Sequence, residues 1–200
     1  IQDTLVVPKD QRLLIQSGAR LVFDEGAALE VHGRLYVCGT QKQPVTFTSD
    51  EGEAGSWPGI ELHGSAEESI ISHALIQFAG DRALYLDRSA PRLLDVKIAN
   101  SSGFPISTDG NRLPDLSGGL ELDDNPFNAV EIRSGTLEEE NVRWPSDGFV
   151  FVVSGPLEVG TNTALKIEPD VVVKFWHAPN GRAPGIGVRG LLEAEDVTFP

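Results

Sequence analysis

Apolar side chains recur at every second position along nearly the whole chain. Leu5-Val7, Leu13-Ile15, Leu21-Phe23, Leu29-Val31 and Leu35-Val37 each place alternate residues on one face, as half-buried strands do. Val45-Phe47, Ile60-Leu62, Ile76-Phe78, Leu84-Leu86, Val96-Ile98 and Val130-Ile132 read the same way. The best helical window, Ile70 to Phe78, is rich in β-branched residues and reads better as strand. Gly, Pro, Asn and Asp punctuate the runs at short intervals. The pattern predicts an all-β chain.

Repeats select among all-β architectures. One strand type recurs at Gly59-Ile60-Glu61-Leu62, Ala83-Leu84-Tyr85-Leu86, Pro105-Ile106-Ser107, Ala129-Val130-Glu131-Ile132 and Val150-Phe151-Val152. The advance is about 20–24 residues each time, the period of one coil of a parallel β-helix, in which apolar alternates fill a narrow interior. Asn-Gly and Asp-Gly pairs of the kind that close tight hairpins are few, which counts against a sandwich. A longer repeat overlies the short one. Leu5/Leu157, Val7/Val159, Leu13/Leu165, Ile15/Ile167 and Phe23/Phe175 are identical pairs at a constant offset of 152. Gly33-Arg34-Leu35 answers Gly190-Leu191-Leu192 at offset 157, and Val45-Thr46-Phe47 answers Val197-Thr198-Phe199 at 152 again. Residues 1–152 therefore read as one module and 153–200 as the start of a second, continuous with the same solenoid.

Five motifs follow one another in order: Leu13-x-Ile15-x-x-Gly18-Ala19-x-Leu21-x-Phe23, Gly33-x-Leu35-x-Val37-x-Gly39-Thr40, Pro44-Val45-Thr46-Phe47-Thr48-Ser49, Trp57-x-Gly59-Ile60 and Val142-Arg143-Trp144-Pro145. This order resembles bacterial right-handed parallel β-helix repeat proteins, which share the pectin-lyase-like fold. The resemblance implies a right-handed coil and an extracellular or cell-surface location. It further implies a structural role as stalk, adhesin or sheath component. Ser17 and Asp170 depart from it, standing where the two copies would carry proline and glycine.

Charge and composition narrow the partners. Sixteen Lys and Arg against thirty Asp and Glu leave −14, which argues against a nucleic-acid groove. No apolar run approaches a membrane span of about 20 residues. A single cysteine, Cys38, excludes an internal disulfide, and alternation with Val37 points it outward. Ile1 at the start and the lack of Met suggest a processed or excised piece. With no capping helix before Leu5 and Val197-Thr198-Phe199-Pro200 in mid-pattern, the expected partners are neighbouring modules or further copies stacking end to end.

Candidate chemistry is sparse. Thr108-Asp109-Gly110 followed by Asp123-Asp124 resembles the acidic motifs of polygalacturonases, whose hydrolysis needs paired carboxylates, but the expected Gly-His-Gly is missing. Asp123, Asp124 and Asn125 supply oxygen ligands for a possible Ca²⁺, weighed against a role in strand-ending turns. The four histidines show no metal-ligand spacing, and no Gly-x-Ser-x-Gly elbow is present. Glu51-Gly52-Glu53 and Glu138-Glu139-Glu140 read as solvated loops. Trp57 and Trp144 read as corner packing. Trp176, His177, Asn180 and Arg182 lie in a lengthened loop and are the candidates for contact with extracellular polysaccharide. The expectation is a structural or interaction module rather than an enzyme.

Overall fold

A computed structural model describes residues 1–64, 68–176 and 182–200. Twenty-one short strands occupy these residues, and the registered strand pairs run parallel. The chain is a parallel β-solenoid. It divides into two compact units, Ile1–Ile106 with Pro114–Asn128, and Ser107–Leu113 with Ala129–Pro200.

In the first unit, β1 (Leu5–Val7), β2 (Arg12–Gln16) and β3 (Arg20–Val22) make one coil. β4 (Leu29–Val31), β5 (Arg34–Cys38) and β6 (Val45–Thr48) make the next. They are followed by β7 (Ile60–His63) with β8 (Ile70–Gln77), β9 (Arg82–Asp87) with β10 (Arg92–Ala99), and β11 (Phe104–Thr108) with β12 (Glu121–Asp123). One sheet orders β1-β4-β7-β9-β11, and the facing one runs β12-β10-β8-β5-β2. β8 pairs with β5 through Ile70–Ser72 and with β6 through Ala74–Ile76. His73 sits between these two stretches at φ 48° and makes the bend.

Such bends form columns. His73, Asp95 and Gly119 are one column, with φ of 48°, 51° and 85°; Phe78, Asn100 and Asp124 are another, at 62°, 54° and 51°. The Phe78 N–H donates to Ala99 O and the Asn100 N–H to Asp123 O, so these corners stack coil upon coil. Asp and Asn tolerate the left-handed region better than other residues with a Cβ, which explains their presence here.

In the second unit each coil has three sides: β13 (Val130–Ile132), β14 (Gly135–Leu137) and β15 (Asn141–Trp144); β16 (Val150–Val153), β17 (Pro156–Val159) and β18 (Ala164–Ile167); β19 (Val172–Phe175), β20 (Gly185–Val188) and β21 (Leu191–Ala194). Three parallel sheets result: β13-β16-β19, β14-β17-β20 and β15-β18-β21. The boundary between residues 152 and 153 falls inside β16.

Alternation fixes the interior. Leu29, Val31, Leu35, Val37, Val45, Phe47, Ile60 and Leu62 are fully buried, and Trp57 and Trp144 are sealed at 1% and 0% exposure. Cys38 is exposed while Val37 is buried. The advance per coil is less regular than the sequence pattern suggests. Leu5 registers on Leu29 and Ile60 on Leu84, both steps of 24, but Leu29 registers on Ile60 and Leu157 on Ile186, steps of 31 and 29. The extra residues lie between strands, leaving the ladder intact.

The long repeat is reproduced bond for bond. His32 N–H donates to Val7 O at 2.9 Å, and Arg189 N–H to Val159 O at 2.9 Å. Arg34 N–H to Gln11 O (2.9 Å) is matched by Leu191 N–H to Thr163 O (2.9 Å), and Thr46 N–H to Ala19 O (2.9 Å) by Thr198 N–H to Val171 O (3.0 Å). Asp170, in place of Gly18, takes the same left-handed backbone, φ 66° against 76°.

Candidate functional site

The acidic candidates are built into the scaffold. Lys97 registers opposite Glu121 and Ala99 opposite Asp123, so the Lys97 ammonium reaches both carboxylates, donating to Asp123 Oδ2 at 2.8 Å and Glu121 Oε1 at 2.6 Å. The hydrogen bond from Lys97 holds the Asp123 carboxyl below its ordinary value. The bonds to Asp123 and then Glu121 push Lys97 above the usual lysine range. Asp124 is a corner residue. The Asn125 carboxamide accepts from the Ser101 N–H (3.0 Å) and hydroxyl (2.7 Å) and donates to Ile98 O (3.0 Å) and Asn128 Oδ1 (3.0 Å). Its amide locks one coil to the next. Asp109 belongs to the other compact unit. Its Oδ1 accepts the Asn111 N–H at 2.8 Å, within a turn whose Gly110 carbonyl receives the Trp144 indole N–H at 3.3 Å.

In the lengthened loop, Trp176 is 38% exposed and its backbone N–H donates to Val153 O at 3.0 Å. His177 and Asn180 lie outside the described residues. Arg182 lines an open groove of about 960 Å³ over β14, β17 and β20, with Ser134, Thr136, Ser154 and Glu158. Glycines at 185 and 187 leave the groove floor bare, and Glu158 pairs with Arg189 at 3.0 Å. Trp176 does not line this groove.

A second cluster escaped the sequence reading. Glu30 and His32 point outward at the end of β4, Glu61 and His63 at the end of β7, and Tyr85 and Asp87 at the end of β9, because alternate strand residues share a face. Glu61 registers on Glu30 and on Tyr85, and His63 on Asp87. The rings of His32 and His63 stack with centroids 4.9 Å apart and planes 17° from parallel; His63 lies 5.9 Å from Tyr85. Three carboxylates flank the imidazoles: Glu30 at 2.6 Å from His32 Nε2, Glu61 at 3.4 Å from His63 Nε2, and Asp87 at 3.5 Å from His63 Nδ1. His63 Nε2 is buried without a hydrogen bond. Arg82 lies over the Tyr85 ring at 5.7 Å. Beside them a pocket of about 390 Å³ is lined by Pro58, Glu61, His63, Asp81, Arg82 and Tyr85.

The signal was in the chain. Leu29-Glu30-Val31-His32-Gly33 and Ile60-Glu61-Leu62-His63-Gly64 are one motif written twice. In the second copy the corresponding residues are Gly187 and Arg189, so the histidine pair belongs to the first copy alone. Chemically the face offers carboxylate acceptors, imidazole nitrogens and an aromatic ring, a set suited to hydroxyl-bearing ligands. No group of three or more His, Cys, Asp or Glu has metal-holding geometry among the described residues.

Parallel coils and an outward polar face place the chain in the class of β-solenoid proteins. No protein-family model, curated protein or solved structure matches it.

Proposed function

We propose that this chain is a structural and interaction module of a secreted or cell-surface bacterial protein, joined to neighbouring modules or further copies through the backbone edges of its coils. The observation that carries the reading is the repeat, in which equal hydrogen bonds recur at matched positions of the two copies. Such a design gives stability by nearest-neighbour stacking and extends by adding coils. The net charge of −14 keeps such a surface protein soluble. The test is labelling of intact cells of the source bacterium with an antibody against the chain. Surface signal before permeabilisation supports the reading; signal only after it overturns it.

A second reading is supported by the Tyr85 pocket and the Arg182 groove. Each combines hydrogen-bonding side chains with an accessible trough, and this favours a non-catalytic contact with extracellular polysaccharide. A glycan array tests it. Binding that is lost in Tyr85→Ala or Arg182→Ala supports sugar recognition, and identical signals from all three proteins refute it.

A further inference from the structure

One corner of the first unit brings a hydroxyl, an imidazole and a carboxylate into contact in that order. β8 buries Ile71 and turns Ser72 outward before the chain bends at His73; in the next coil β10 buries Leu93 and turns Leu94 outward before it bends at Asp95. Ser72 registers on Leu94 and Ala74 on Val96, so the ladder steps over His73 and Asp95, both at positive φ. The two corner side chains stand in one column outside the ladder. The Ser72 hydroxyl lies 2.9 Å from His73 Nδ1, and His73 Nε2 lies 3.2 Å from Asp95 Oδ2. An ionised carboxylate only accepts, so Asp95 sets the ring proton on Nε2 and leaves Nδ1 to accept the Ser72 hydroxyl proton. Glycines flank the pair: a Cβ at Gly119 meets Asp95 Oδ1 at 2.6 Å, and one at Gly39 meets the His73 carbonyl. The corners on either side must be bare for the pair to sit as it does.

We propose that Ser72, His73 and Asp95 form a serine nucleophile centre that cleaves esters of short acyl groups, acetyl foremost. As Ser72 Oγ bonds to the acyl carbon, its proton passes to His73 Nδ1. The same nitrogen gives that proton to the departing alcohol oxygen as the ester C–O bond breaks. Water then attacks the acyl-serine carbon and passes a proton to Nδ1, which returns it to Ser72 Oγ as the acyl bond breaks and the carboxylic acid leaves. Ester and water give acid and alcohol, with no further reactant. Asp95 touches no substrate atom. It is a positioning residue, holding the imidazole in the tautomer the transfer needs and stabilising the imidazolium. The ring is turned end for end relative to the familiar serine triad, with the order of proton transfer unchanged.

The surroundings select the acyl group. Ser72 is flanked along its row by its register neighbours Cys38 and Leu94, and strands in such a ladder stand about 4.8 Å apart. An acetyl group fits beside the hydroxyl between them, whereas a longer chain projects into water and gains nothing. The centre is open, with the His73 side chain 31% and that of Asp95 64% exposed, so an ester carried on a large solute reaches it from solvent. A carboxylate in water orients and stabilises less than a buried one, which sets the expected turnover low. This activity is separate from the role as an interaction module and stands or falls without it.

The test uses the 200-residue chain carrying Cys38→Ala, which removes the exposed neighbouring thiol as a competing nucleophile. Hydrolysis of p-nitrophenyl acetate and of p-nitrophenyl octanoate is followed, and a fluorophosphonate reagent is mapped by mass spectrometry. The expected label is on Ser72, and Ser72→Ala lowers kcat for the acetate by about 100-fold or more. His73→Asn, which keeps a residue tolerant of left-handed backbone, has the same effect. Asp95→Asn lowers kcat about tenfold or more and leaves KM and the melting temperature where they were, a split that general loss of structure does not produce. No label on Ser72, or an acetate rate that survives Ser72→Ala, overturns the proposal. A rate that survives Ser72→Ala but is lost in His73→Asn overturns it in favour of the imidazole as nucleophile. Octanoate cleaved as fast as acetate overturns the choice of short acyl groups.

Discussion

Phe23 and Phe175 are the same residue at the same place in the repeat, and the comparison of their truncations isolates what a covering coil is worth. Phe23→Ala removes a ring with no solvent exposure, stacked on Trp57 at 4.5 Å. Loss of a fully buried phenylalanine costs about 3–5 kcal/mol through transfer and cavity formation. The offset stack adds roughly 0.5–1.5 kcal/mol to such a pair. Phe175 is about three-fifths buried, so Phe175→Ala gives up about 1–2 kcal/mol of transfer energy, and its open side leaves no enclosed cavity. The two variants therefore differ by at least about 1.5 kcal/mol. For a chain of this size that separates their melting temperatures by roughly 3–6 °C or more, with Phe23→Ala lower. Thermal melts and urea titrations, each followed by two probes, measure the difference. Equal losses would refute the assignment of Trp57 as the lid of the first copy.

Three further outcomes follow from the packing. A Cβ at Gly33 meets Gln11 O at 2.2 Å and Pro8 O at 2.4 Å, and one at Gly190 meets Gly160 O and Thr163 O at the same short range, whereas Gly185 has open space. Gly33→Ala and Gly190→Ala each cost on the order of 1–3 kcal/mol or more by overpacking, and Gly185→Ala stays within about 0.5 kcal/mol, in urea titrations. Asn125→Ala leaves the Ser101 N–H and Ile98 carbonyl short of a partner and destabilises by about 1–3 kcal/mol, with hydrogen exchange rising first near β10 and β12. The Asp123 carboxyl is held low by Lys97, so its contribution is present above the unfolded value of about 3.9 and disappears as pH falls through the lower folded value. Stability measured between pH 5 and pH 2 falls less steeply in Lys97→Met than in the parent; parallel curves refute the pairing.

The fold was legible because period-2 alternation and a stacked interior are the same constraint seen from two sides. Inward positions such as Val7, Ile15 and Phe23 cannot drift, and the offset of 152 survives at those positions. The long coil between β4 and β7 was not legible, since its extra residues lie outside the ladder that enforces the period, whereas the one between β17 and β20 showed as the change of offset from 152 to 157. The first of these also hid the histidine pair: Glu30-x-His32 and Glu61-x-His63 are 31 places apart, outside the expected 20–24. The acidic candidates have a structural use that the sequence does not display. Asp and Asn carry out catalysis in clefts, but they also tolerate left-handed backbone, and Asp124 serves that second purpose here while Asp123 anchors Lys97. A single sequence lists the carboxylates without their backbone angles.

The steps of 31 and 29 residues beside steps of 21–24 have an evolutionary consequence. Length can be edited at the connections without rethreading anything beneath them. New outlines for recognition can arise there while the spine keeps its gauge, which makes this architecture a conservative frame with a freely revised margin.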